Sequence, residues 1–310
     1  MKAVRYHSYG DSGVLAHEDA EKPRAAAGQV VLQVAGTSFN FLDIAIRSGF
    51  VRELAPIEFP HTPGLDVSGT VAEIGEGVSG WNLGDPAIAV LPPEAPGAAA
   101  EYVAAEAASL APAPRTVPLP DAAALPIAAL TAWQSLFEFA KLQAGQRLLI
   151  NGAGGGVGGH AVRLAKRAEA HVTATAGPRS RDRVEAAGAD RIVDYTRTPV
   201  QDALAGERFD VVLHLVRNGP EETAALVDLV ADGGVLASTT TPGPREPGRG
   251  VRVEQVRMRW DAAQLAELAA LVDAGELAVE VAERLPLTAI ADVHDRAAAG
   301  RLLGKTVLTP

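Results

Sequence analysis

Six glycines fall within the eight residues from Gly152 to Gly159, inside the longer run RLLINGAGGGVGGHAVRLAKRA. Gly154, Gly156 and Gly159 satisfy G-x-G-x-x-G, while Gly152, Gly155 and Gly158 satisfy G-x-x-G-x-x-G. Backbone without side chains turns tightly and lets a phosphate approach, and the helix that follows aims its free N–H groups and positive dipole end at the anion. Glycine also serves ordinary turns and linkers, so context decides. Here the run follows an apolar strand and opens a helix whose Val157, Ala161, Leu164, Ala165 and Ala168 form a sheet-facing stripe, the setting a dinucleotide site requires. Gly152, Ala153, Gly154, Gly155, Gly156, Val157 and Gly158 are therefore the expected cofactor-binding loop.

In NAD-selective folds an acidic residue ends the next strand and takes the ribose hydroxyls. The corresponding segment, HVTATAGPRSRDRV, has none; Arg179, Ser180, Arg181 and Arg183 follow instead. Guanidinium and hydroxyl groups suit a 2′-phosphate, which favours NADPH over NADH. The alternative is that these arginines solvate the next helix and pair with Asp182 or Glu185.

Other chemistries find less support. The chain has no cysteine, which excludes disulfides, thiolate nucleophiles and cysteine-ligated zinc. Its seven histidines include no H-E-x-x-H pair, and no metal site is expected. His61 reads as a turn residue and His160 as part of the packing of its helix. No G-x-S-x-G elbow is present, so hydrolysis has no footing. Asp43 and Arg47 stand four apart in one helical word, the spacing of an intrahelical ion pair; Arg47 is also a candidate for a substrate carboxylate. Lys305 and Arg301 are candidates for the cofactor's phosphates, with surface solvation the alternative.

These residues need elements to hold them. A chain of 310 residues is expected to form two domains of ordinary size. Up to about residue 110, short β-like runs such as Val30–Val34, Val67–Ile74 and Ala87–Val90 alternate with turn residues. A Pro/Ala-rich connection covers roughly 91–126. From Asp121 an Ala/Leu-rich helix runs through Lys141, followed to about residue 256 by alternating strands and helices. Such βα repeats imply a parallel sheet covered on both faces. A helix over Ala262–Ala274 ends at Gly275, and KTVLTP closes the chain with β character. The net charge of −10 repels nucleic acid. No run of 18 apolar residues occurs, so no membrane span is expected, and with no apolar leader the chain is expected in the cytoplasm.

The words FNFLDIAIRSG (39–49), PGLDVSGTVAEIGEGV (63–78), ALTAW (129–133), GAGGGVG (152–158), GADRIVDY (188–195) and GKTVL (304–308), with Gly84–Asp85, together carry a resemblance. The chain resembles the zinc-free medium-chain dehydrogenase/reductase superfamily, in its quinone oxidoreductase (ζ-crystallin-like) branch. The resemblance implies an α/β protein: a Rossmann doubly wound parallel sheet at 122–257, plus a GroES-like β-rich catalytic domain built from 1–121 and 258–310.

It further implies that Asn40 lies on the substrate side and Thr131 near the nicotinamide, the two candidate catalytic residues, with Tyr195 beside the adenosine phosphate and Asn218 near the nicotinamide ribose. Bland alternatives exist: a strand-end aromatic for Tyr195, a helix residue bonding its own turn for Thr131, and a plain Asn-Gly turn for Asn218. Phe50, counted with Asp43 and Arg47 in the substrate pocket, stands where relatives often carry a tyrosine, so a phenol proton donor is in doubt there. His214 replaces an aspartate common at that strand end. The implied activity is NADPH-dependent reduction of a quinone, with enone or enoyl C=C reduction as alternative and a non-catalytic NADPH-binding role as another. A homodimer joined through the Val251–Val256 edge strands is also implied.

Overall fold

The strand Gln29–Ser38 sends Val30, Leu32 and Val34 into one apolar core with Val67, Val71, Ala87 and Ala89. This alternation of inward and outward residues is what a pleated strand with one buried face demands. In the computed structural model, which describes residues 1–310, the strand is β3 of a first compact unit formed by Met1–Ile127, Trp260–Gly275 and Val279–Pro310. Before it, β1 (Lys2–Arg5) and β2 (Ala16–Asp19) form an antiparallel pair. After it come α1 (Phe41–Arg47), β4 (Asp66–Ile74), β5 (Pro86–Val90), β6 (Tyr102–Glu106), β7 (Ala111–Pro112) and α2 (Leu119–Ala122). Strand β3 pairs antiparallel with both β4 and β6.

The long helix expected from Asp121 to Lys141 is broken. α2 stops, α3 (Pro126–Trp133) restarts at a proline suited to a first helical position, and Gln134–Phe139 continues as a π-helical turn. Pro126 has no N–H to continue a preceding helix, which is why composition alone overran the break.

The second unit comprises Ala128–Arg259 with Glu276–Ala278. Its elements alternate: β8 (Arg147–Asn151), α4 (Gly156–Arg167), β9 (His171–Thr175), α5 (Arg181–Ala186), β10 (Arg191–Val193), α6 (Val200–Ala203), β11 (Phe209–His214), α7 (Pro220–Ala225), β12 (Val230–Ser238) and β13 (Arg252–Gln255). All pair in parallel in the order β10-β9-β8-β11-β12-β13. This is the doubly wound Rossmann order, whose direction reverses between β8 and β11 and leaves the ligand crevice at their carboxyl ends.

The chain then returns to the first unit. α8 (Ala262–Asp273) ends at Gly275, where φ is +75°, the left-handed conformation of a helix C-terminal turn. β14 (Glu283–Pro286), α9 (Ile290–Ala298) and β15 (Thr306–Thr309) follow, and β15 pairs parallel with β14 and antiparallel with β3. That last pairing sets Val307 opposite Ser38 and so delivers Lys305 to the end of β3.

Candidate functional site

The glycine loop leaves β8 at Asn151 and reaches α4 through a tight turn in which Gly152 adopts φ +101°. Gly152 N–H donates to Thr175 Oγ1 (2.9 Å), Ala153 N–H to Thr175 O (3.1 Å) and Gly155 N–H to Gly152 O (3.3 Å). The N–H groups of Gly154, Gly156, Val157 and Gly158 find no acceptor in the chain. Four free donors at the start of a twelve-residue helix form an anion cradle. Its walls tolerate no side chain: a Cβ on Gly158 would lie 2.5 Å from Ala153 Cα, and one on Gly154 would lie 2.3 Å from Ser180 Oγ. The residues present therefore fit the diphosphate of a dinucleotide.

Beside the cradle, Arg183 donates through Nη2 to Gly154 O (3.3 Å). The Tyr195 hydroxyl lies 3.4 Å from the point a Cβ on Gly177 would occupy, just beyond β9. Ser180, Arg183 and Tyr195 thus converge on the loop and the end of β9, while Arg179 and Arg181 extend into solvent. No carboxylate stands at that strand end.

At the end of β11, His214 is fully buried and bridges two amides. Its Nδ1 faces Asn151 Nδ2 (3.1 Å) and its Nε2 faces Asn218 Oδ1 (2.9 Å). The Thr223 hydroxyl donates to the same Asn218 oxygen (2.7 Å), and the Thr175 hydroxyl to Asn151 Oδ1 (2.9 Å). Burial holds the imidazole pKa below its ordinary value, so the ring is neutral at physiological pH. Asn151, Thr175 and Thr223 were not singled out from sequence; the odd histidine at the strand end was the only signal.

In the first unit, Asn40 belongs to a buried ionic cluster. Lys305 Nζ donates to Ser38 Oγ (2.7 Å), Asn40 Oδ1 (2.8 Å) and Asp66 Oδ2 (3.0 Å). Asn40 Nδ2 donates to Asp66 Oδ2 (2.8 Å) and to Ser38 O (3.2 Å). The other oxygen of Asp66 accepts from Ile127 N–H (2.9 Å) in the first turn of α3. The Lys305 and Asp66 side chains are 7% and 0% exposed. The expectation for Lys305 is corrected: its ammonium is neither solvated nor free for a phosphate, because β15 carries it into this cluster. Asp66 was missed, although it is the acid of the PGLD word.

The expected Asp43–Arg47 ion pair is also absent. Asp43 accepts from Asn40 N–H (2.8 Å) at the start of α1, a nearer donor than a side chain one turn away. Its carboxyl pKa is raised to about 7, chiefly by burial and then by the charge of Asp66; the Asn40 and Gly64 N–H groups and Lys305 oppose the rise. Arg47 is buried with Nε and Nη1 unpaired. His61, read as a turn residue, is buried against the Tyr6 ring (5.4 Å between centroids), and burial lowers its pKa to about 4. Phe50 is 81% exposed. Thr131 is buried on α3, and its carbonyl accepts from the Ser135 hydroxyl (2.6 Å) at the π-helical turn. No three His, Cys, Asp or Glu side chains are grouped so as to hold a metal, and no helix is long and apolar enough to cross a membrane.

Comparison with known proteins bears on this geometry. Residues 26–115 match the alcohol dehydrogenase GroES-like domain, and residues 187–308 match the family described as zinc-binding dehydrogenase. The chain is 34% identical to a chloroplast envelope quinone oxidoreductase homolog of Arabidopsis thaliana, covering 100% of this chain and 98% of the relative. It is 31% identical to a 2-methylene-furan-3-one reductase of Solanum lycopersicum, covering 100% and 79%. A quinone oxidoreductase structure from Coxiella burnetii superimposes with a TM-score of 0.90 at 28% identity, over 100% and 99% of the two chains. The cytoplasmic expectation is overturned by relatives whose names place them in organelles, such as the chloroplast envelope. The reason is physical: an apolar run marks secretory leaders and spans, whereas organelle addresses are amphipathic, so that criterion never tested the compartment.

Proposed function

The chain belongs to the zinc-free medium-chain dehydrogenase/reductase superfamily, in its quinone oxidoreductase branch, and from that premise we propose that this oxidoreductase reduces a quinone with NADPH, independently of zinc. The carrying observation is the cradle of four free N–H groups, flanked by Ser180, Arg183 and Tyr195 with no carboxylate beside them. Gly152–Gly158 would hold the diphosphate, and Ser180 with Arg179, Arg181 and Arg183 would take a 2′-phosphate that an acid would repel. NADPH, when bound, supplies a hydride.

The chain's own residues orient and stabilise. Asn218 belongs to the loop beside the cradle. Thr131 and Asn40 are the polar groups assigned to the reacting end, and Asn40 has an orientation fixed by Lys305 and Asp66. Oriented hydrogen bonds at a developing oxygen charge are the main protein contribution to such a reaction. The exposed edge of β13, in a segment rich in valine, suits pairing with a second copy, which light scattering would test.

Reduction of an activated C=C bond is the second reading, favoured by the similarity to a 2-methylene-furan-3-one reductase. Steady-state rates with 1,4-quinones and with α,β-unsaturated ketones, each with NADPH and NADH, separate the two. Quinone turnover with NADPH preferred is expected; negligible NADPH oxidation with every acceptor would overturn both readings.

A further inference from the structure

The hydrogen bonds through His214 have a direction, and it is set at one end by a group that can only donate. Gly152 N–H donates to Thr175 Oγ1, and the Thr175 hydroxyl proton goes to Asn151 Oδ1. The Asn151 amide must then present Nδ2 to His214 Nδ1. Nδ1 accordingly carries no proton, the ring proton sits on Nε2, and Nε2–H donates to Asn218 Oδ1. The reverse polarity would leave the Thr175 hydroxyl proton without an acceptor inside a residue only 1% exposed, a costly arrangement.

Two donors, His214 Nε2–H and the Thr223 hydroxyl, therefore meet on the Asn218 oxygen. The amide cannot turn over without facing N–H against N–H. Its Nδ2 points away from both donors and has no partner in the chain. The loop that carries it is anchored, since Thr241 Oγ1 donates to Asn218 O (2.7 Å) and Thr240 Oγ1 to Val216 O (2.7 Å). It also abuts the cradle: a Cβ on Gly152 would lie 2.9 Å from Val216 Cγ2.

We propose that His214 is a positioning residue that makes Asn218 offer an NH2 donor, rather than a carbonyl acceptor, to an accepting oxygen of the bound dinucleotide. The inference rests on the NADPH reading above. A carboxylate in place of His214 would accept from Nδ2 and turn the amide around, so the histidine selects which end of Asn218 the ligand meets. Residues from the glycine loop, the end of β9 and the end of β11 act as one relay whose polarity begins at Gly152.

Isothermal titration of NADPH into the purified full chain tests this without turnover. His214→Leu, which frees the Asn218 amide to turn, is expected to weaken NADPH binding roughly tenfold, the loss of about one directed hydrogen bond. His214→Gln keeps an N–H for Asn218 and is expected to bind within about threefold of wild type. Asn218→Ala removes the donor from a partly exposed position and is expected to match His214→Leu, which keeps the test intact if the buried substitution prevents folding. Nitrogen NMR of the His214 ring should show Nδ1 unprotonated and Nε2 protonated at neutral pH. Unchanged NADPH affinity in Asn218→Ala, or the opposite tautomer, would overturn the inference alone. A wild-type chain that binds no NADPH would overturn the reading it rests on, and the inference with it.

Discussion

Two polar networks lie in the two units, and they are built on opposite principles. In the first unit Lys305, Asp66, Ser38 and Asn40 enclose a full ion pair with almost no solvent. In the second, Thr175, Asn151, His214, Asn218 and Thr223 carry no charge at all. The ionic cluster is held by compensation, since each charge is tolerable only because the other is present. The neutral relay is held by direction, since every donor has one acceptor and the order cannot be reversed. A charged network fixes where an amide sits; a neutral one fixes which way it faces.

The sharpest break falls on the ionic side. Asp66→Asn leaves Lys305 buried without a counter-charge and is expected to lower unfolding free energy by about 3–5 kcal/mol, read from the denaturant midpoint. Adding Lys305→Met should recover part of that loss, because removing both charges removes the mismatch. A double variant no better than the single would show that compensation is not what holds the cluster.

Asp43, which adjoins the cluster, gives the next largest effect, and it is dressed in pH. Unfolded it titrates near 3.8 and folded near 7, so between those values the folded chain keeps a proton that the unfolded chain releases. Its contribution to stability is present below pH 4 and is lost as pH rises through 7. Asp43→Asn should therefore gain on wild type across that window, by roughly 4 kcal/mol at its upper end. His61, with its pKa lowered to about 4, acts in the opposite sense below its ordinary value but cancels in the difference between the two proteins. A difference that stays flat from pH 4 to 8 would contradict the assignment.

On the neutral side, Thr175→Val strands Gly152 N–H and Asn151 Oδ1 and is expected to cost about 1–3 kcal/mol, with no added dependence on pH. The exposed pair Arg252–Glu254 on β13 supplies the baseline. Arg252→Ala should change stability by less than about 0.5 kcal/mol, in thermal melts at low salt.

What the sequence disclosed follows the reach of each interaction. The glycine loop was legible because strand, turn and helix are contiguous, and its consequence, the doubly wound sheet, follows from the βα alternation. The ionic cluster was not: Ser38 and Lys305 are 267 positions apart, and only the pairing of β15 with β3 joins them. Spacing showed that Asp43 and Arg47 are neighbours on α1 but not which partner Asp43 prefers, and a backbone N–H three residues away won. The residues from 121 to 141 look uniformly helical by composition, yet Pro126 and the π-helical turn divide them.

That turn has a consequence of its own. Ala140 N–H reaches back five residues to Ser135 O (2.9 Å) rather than four, so the segment Gln134–Phe139 holds one residue more than an α-helix would need. It is a reversible insertion, a spare residue looped into the helix without a bulge in the sequence. Deleting a single residue between 134 and 139 would let the ordinary ladder close, and every side chain after it would swing by about 100° around the axis. The register of the segment feeding the second unit is thereby stored as a count, and a change of one in that count re-addresses all that follows.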